Sequence, residues 1–168
     1  DGIRDSSVTG VQTCALPIFL LLNNAVKAGT VRELVALLKS QQGRFNYAST
    51  GVGSGPHVAG ELFNVMNGVK AEHIAYKGGV PALTDLMGGQ VQMFIYTTTG
   101  SVPYVKGGKV KALAVSGESR LAALPDVPTF TEAGLPGYDV KTWQGVLAPA
   151  ATPRAAVDKL SQEIGHIL

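Results

Sequence analysis

From residue 30 onward, hydrophobic and polar positions alternate between two periods, and together these predict helices and strands in turn. Thr30 followed by Glu33 forms a capping box, with Val31, Leu34, Val35, Leu37 and Leu38 recurring behind it at helical spacing. An amphipathic helix is expected there, ended by Gly43 in a left-handed cap. Short runs rich in β-branched and aromatic residues at 45–49 (FNYAS), 73–76 (HIAY), 91–96 (VQMFIY) and 111–116 (KALAVS) are each bounded by glycine or a turn residue. They predict four strands.

The same punctuation separates successive strands: Gly55-Pro56 with Asn67-Gly68, Val80-Pro81 with Gly88-Gly89, and Val102-Pro103 with Gly107-Gly108. Proline suits the first helical position, where its missing N–H would have no partner, and glycine accepts the left-handed conformation just past the end. Three crossover helices are implied. Strands alternating with helices predict a parallel sheet with right-handed crossovers, which places every strand-to-helix loop at one edge.

That edge carries the candidate chemistry. Three helix N-termini, each with unpaired N–H groups and a partial positive charge, would converge on it and make an anion site. Small hydroxyls and glycines fill the loops: Ser49, Thr50, Gly51, Gly53 and Ser54 after the first strand, Tyr76, Lys77, Gly78 and Gly79 after the second, and Thr97, Thr98, Thr99, Gly100 and Ser101 after the third. Glycine lets the backbone approach a ligand closely, and hydroxyls donate without adding negative charge. Any one of these loops is also explained as turn and cap chemistry alone; the functional reading rests on three sharing an edge. His57, in the first turn of a helix, reads as an orienting or packing residue, and Met66, Met87 and Met93 read as packing. Tyr76 and Trp143 fit a cleft lining or ordinary core filler equally.

Composition narrows the function classes. The chain has 168 residues, with 45% hydrophobic, 15% charged and 21 glycines, as in a turn-rich α/β protein. A formal charge of +2 leaves no basic stripe, so nucleic acid is not an expected partner, and no apolar run is long enough to span a membrane. The first 18 residues, DGIRDSSVTGVQTCALPI, lack helical or strand periodicity and resemble a translated sequencing-adapter remnant; they are expected to be non-native and unstructured. Cys14, the only cysteine, lies inside them, so no disulfide or thiol nucleophile is expected. In Gly51-Val52-Gly53 the third glycine of a dinucleotide fingerprint would fall at Pro56, and Glu72 precedes the second strand instead of ending it. The acids Glu61, Asp85, Asp126, Glu132 and Asp139 show no evident pair and read mostly as solvated faces, and His57, His73 and His166 lack a shared metal spacing. No enzyme activity, metal or cofactor is expected.

The segments YASTGVGSGPHVAGELF, AYKGGVPALTDLMGGQV and KALAVSGESRLAALPDVPTFTEAGLPGYDV resemble, together, the substrate-binding proteins of tripartite tricarboxylate transporters, the Bug family. The resemblance runs from about Phe19 to the end. It implies a periplasmic-binding-protein-like α/β fold of type II, the Venus flytrap, mainly its second lobe, with a parallel-rich sheet flanked by helices. It divides the chain into residues 19–29 as hinge and first-lobe strand, 30–137 as the second lobe, and 138–168 as a return crossover with a helix opened by Thr152-Pro153 and cut by the chain end.

In function, it implies a monomeric periplasmic receptor that captures a small carboxylate or dicarboxylate by lobe closure and delivers it to membrane permease subunits. Carried onto this chain, the family's carboxylate-binding loop is Ser49, Thr50, Gly51, Gly53 and Ser54, with Tyr76, Gly78, Thr97 and Thr98 on the neighbouring rim. Many members have an acidic or amide residue after the third strand, where this chain has Thr97-Thr98-Thr99; a plain carboxylic acid is therefore expected over an amino acid. The lobe alone is expected to fold and to bind weakly. Two other readings stay open: a sensor passing ligand occupancy to a signalling partner, and, less favoured, a hydrolase or transferase using Ser54 or His57.

Overall fold

The computed structural model describes residues 17–140 and 148–167. The chain divides into a main unit, Leu16–Thr142, and a second that carries the C-terminal helix. In the main unit the order is β1 (Ile18–Leu22), α1 (Val31–Ser40), β2 (Asn46–Ser49), α2 (Gly55–Asn67), β3 (Glu72–Ala75), α3 (Gly79–Gly88), β4 (Met93–Thr97), α4 (Thr98–Lys106) and β5 (Lys111–Val115). The other unit holds α5 (Arg154–Ile167), which begins directly after Pro153 as its opening residues predict.

The five strands form one sheet in the order β3-β2-β4-β1-β5. β2 pairs in parallel with β3 and β4, as expected, but β1 runs antiparallel to both β4 and β5. The sheet is thus parallel-rich, as expected, with one antiparallel strand inserted between β4 and β5. Ile18–Leu22 is an inner strand of this sheet, and all five of its residues are buried. The boundary of the lead shifts as well: Pro17 accepts a bond from the Thr98 N–H and Ile18 is buried, while residues 1–16 lie outside the described residues.

Tyr138 likewise belongs to this unit. It is buried against Phe63 and Phe130, and its hydroxyl donates to the Ala59 carbonyl at 2.6 Å.

Helices cover both faces. α1 and α2 pack on one through Val31, Leu34, Leu38, Ala59 and Phe63; α3 and α4 pack on the other through Leu83, Leu86, Val102 and Val105. At α1 the capping box is displaced by one residue. Thr30 accepts from the Glu33 N–H, while Glu33 accepts from the Gly29 N–H instead of that of Thr30. The helix ends at Gln41, and Gly43 takes its positive φ in the following turn. Gly68 and Gly89 cap α2 and α3 in the left-handed conformation, as their positions predict.

The third punctuation mark misleads. α4 opens at Thr98, so Pro103 lies inside the helix, and α4 closes at Gly107 without a left-handed cap. Its start is set by the end of β4, where Ile18 pairs with Thr97. Met93 is buried and Met87 packs beside the core, but Met66 is exposed on α2 and is not a packing residue.

Candidate functional site

Because β2, β3 and β4 run the same way, the N-termini of α2, α3 and α4 meet at their carboxyl edge, and none of the three has a side-chain cap. They arrive from opposite faces: α2 from one, α3 and α4 from the other.

The 49–54 loop is shaped from within. Ser49 is fully buried; its Oγ accepts from the Gly51 N–H at 3.1 Å and lies 3.0 Å from the Gly51 carbonyl and 2.6 Å from His73 Nε2. Ser54 donates to the same carbonyl through Oγ at 2.7 Å and through its N–H at 3.2 Å. These bonds occupy the Gly51 carbonyl, an acceptor that would otherwise repel an anion. Gly51 and Gly53 have φ of 142° and 78°, conformations that favour glycine. Thr50 is half-buried beside them, and the Gly55 and His57 N–H groups have no protein partner among the described residues.

Beneath the loop is a stack of rings that sequence reasoning missed. His57 Nδ1 accepts from the Gly53 N–H at 2.9 Å, the orienting role expected of it. Its ring stacks on His73 at 3.9 Å, and His73 stacks on Tyr47 at 5.1 Å. Tyr47 in turn donates to Glu61 at 2.6 Å. The parallel pairing of β2 with β3 sets Tyr47 beside His73, a register that residue spacing does not reveal. Glu61, Asp85 and Glu132 are therefore not simply solvated: they accept from Tyr47, Tyr76 and Arg120 respectively. No cluster of side chains suited to a metal ion occurs among the described residues.

Burial, then the neighbouring His57, hold His73 below the ordinary imidazole value, and Glu61 opposes them. The folded chain thus binds fewer protons at this site than the unfolded chain. Its stabilising contribution is complete above about pH 6.5 and declines as pH falls through the lowered folded value. Thermal melts across this range are expected to show an acid limb that flattens in His73→Gln. An unchanged limb in that variant would assign the loss to another group.

On the rest of the rim the structure separates the nominated residues. Gly78, with φ of 108°, caps α3, and Thr97 caps α4. Thr98 is buried and its N–H is spent on Pro17. The Tyr76 hydroxyl donates to Asp85 on α3 at 2.8 Å; burial and this bond push it up to about 12, so the phenol is committed to packing. Tyr96, which was not nominated, stands between α3 and α4 instead. Trp143 lies outside the described residues. Away from the rim, a cavity beside the start of α1 and the first half of β5 is lined by Thr30, Arg32, Asp126 and Glu132. Its Thr30 and Glu132 oxygens already accept protein N–H groups.

The chain matches the Tripartite tricarboxylate transporter family receptor over residues 6–166. It is 36% identical over 159 residues to a UPF0065 protein of Pseudomonas sp. (strain P51), covering 94% of this chain and 47% of that protein. The chain thus spans about half the length of the curated relatives it matches. Among solved structures it superposes on MatC from Rhodopseudomonas palustris with bound malate, at a TM-score of 0.87 and 32% identity, over 94% of this chain and 53% of that one. R. palustris Rpa4515 with adipate gives a TM-score of 0.84 and 33% identity, over 90% of this chain and 51% of that one. The fold is accordingly about half of a periplasmic-binding-protein architecture. From its sequence and its fold alike, this chain belongs to the tripartite tricarboxylate transporter receptor family, the Bug proteins.

Proposed function

We infer that this chain is one lobe of a periplasmic receptor that captures a small carboxylic acid and passes it to membrane permease subunits, without chemistry of its own. The observation that carries this reading is the 49–54 loop, whose carbonyl at Gly51 is held by the protein's own donors while the N-terminus of α2 keeps uncapped N–H groups. Such a terminus favours negative charge. That two structural neighbours hold malate and adipate supports a carboxylate as the ligand class. Within the loop, Thr50, Gly51, Gly53 and Ser54 face the ligand, with Gly78 and Thr97 on the adjoining rim. Ser49, Tyr76 and Thr98 support it from below. A second lobe closing over this one would exclude water and shift the population toward the closed form, which is the form the permease would recognise.

Calorimetry with mono-, di- and tricarboxylates on the full-length product of the gene tests the reading. Saturable binding is expected, weakened about tenfold or more in Gly53→Val, because a β-branched residue at φ of 78° costs about 1–3 kcal/mol of backbone strain in the binding loop. Ser54→Ala, which removes one donor from the Gly51 carbonyl, is expected to weaken binding less. A folded full-length protein that binds none of these acids would sink the proposal.

A further inference from the structure

We propose that Tyr96 is the residue that selects a dicarboxylate over a monocarboxylate, its phenol donating to the ligand's second carboxylate while the α2 loop holds the first. This inference rests on the carboxylate reading of the rim and adds a residue and a substrate class to it.

The placement of the ring carries the argument. Tyr96 extends from β4 over the face covered by α3 and α4, stacked on Phe94 at 4.6 Å. Two glycines make room for it. A methyl group at Gly79, the first residue of α3, would lie 2.1 Å from the Tyr96 hydroxyl, and one at Gly100, in the first turn of α4, would lie 2.6 Å from its Cε1. α3 packs on β4 and on β2, so the phenol that reaches its first residue lies at the carboxyl edge these two strands share. Neighbouring strands are about 4.8 Å apart, and β4 is paired directly with β2, whose next residues form the 49–54 loop.

Its chemistry is complementary. Ser49, Tyr47 and Tyr76 all bind protein acceptors or donors with their hydroxyls, whereas the Tyr96 hydroxyl has no protein partner among the described residues. A phenol is a neutral donor, and Gly79 at the uncapped start of α3 lies beside it. With α2 approaching from the opposite face, the two donor groups flank the edge of the sheet, an arrangement that suits an acid with a carboxylate at each end. A ligand ending in a methyl group would leave the phenol without its acceptor.

The test compares matched pairs by calorimetry on the full-length product: adipate against hexanoate, and malate against 2-hydroxybutanoate. The wild type is expected to prefer the diacid of at least one pair, and Tyr96→Phe to weaken that diacid about tenfold while leaving its partner unchanged. Gly79→Ala, whose methyl displaces the hydroxyl, should reproduce the loss. Thermal melts of both variants report folding separately. A spacer role for Tyr96 predicts that Tyr96→Phe keeps the wild-type preference, and that result would overturn the proposal while leaving the carboxylate reading intact. Equal binding of both members of each pair by the wild type would overturn it too. Binding of neither member by a folded wild type would remove the carboxylate reading, and this proposal with it.

Discussion

Leu20→Ala is expected to lower the stability of the chain by about 3–4 kcal/mol, with urea denaturation followed by circular dichroism as the measurement. Leu20 is fully buried in the inner strand β1, opposite Ile95 of β4 on one side and Ala114 of β5 on the other. Removing most of its side chain loses the transfer free energy of the buried carbons and leaves a cavity that a five-stranded sheet with helices on both faces cannot easily collapse. The contrast with an exposed leucine is informative. Leu160→Ala on α5, where the residue is 53% exposed, should change stability by no more than about 0.5 kcal/mol. A loss below about 1 kcal/mol for Leu20→Ala would mean that β1 is not part of the cooperative unit.

The second large effect is expected from the smallest change. Alanine at Gly60 should gain nearly 1 kcal/mol of helix propensity in the middle of α2. Yet its methyl would lie 2.2 Å from Cε2 of Tyr47 and 2.6 Å from Cδ2, a collision with a fully buried ring. That ring is fixed by its stack on His73 and by its bond to Glu61, so either α2 lifts from the sheet or the stack beneath the 49–54 loop comes apart. A net loss of about 3 kcal/mol is expected, together with weaker ligand binding by the full-length protein. Adding Tyr47→Leu to Gly60→Ala tests the cause, since the double variant should be more stable than the sum of the single changes allows. Strict additivity would show that the collision is not what destabilises the helix.

Local chemistry alone determined much of this protein. Helical spacing from Val31 to Leu38, the left-handed glycines at 68 and 89, and the four β-branched and aromatic runs located seven of the elements within a few residues, because each signal acts on its own neighbours. The 49–54 loop was legible for the same reason: its glycines and hydroxyls are contiguous, and they follow a strand and open a helix. Its family motifs lie in the same contiguous stretches.

Tertiary structure decided what depends on partners distant in the chain. Ile18–Leu22 is apolar at every position, and such a run reads the same in a hinge, another lobe or an inner strand until β4 and β5 are seen on either side of it. Pro103 marks a helix start by local rules, but pairing of Thr97 with Ile18 ends β4 and starts α4 earlier. Which of two tyrosines has a hydroxyl without a protein partner among the described residues depends on Asp85, nine residues from Tyr76, and on the glycines that make room for Tyr96. The stack of His57 on His73 needed the register of β2 against β3, since parallel pairing joins residues that have no periodic relation along the chain.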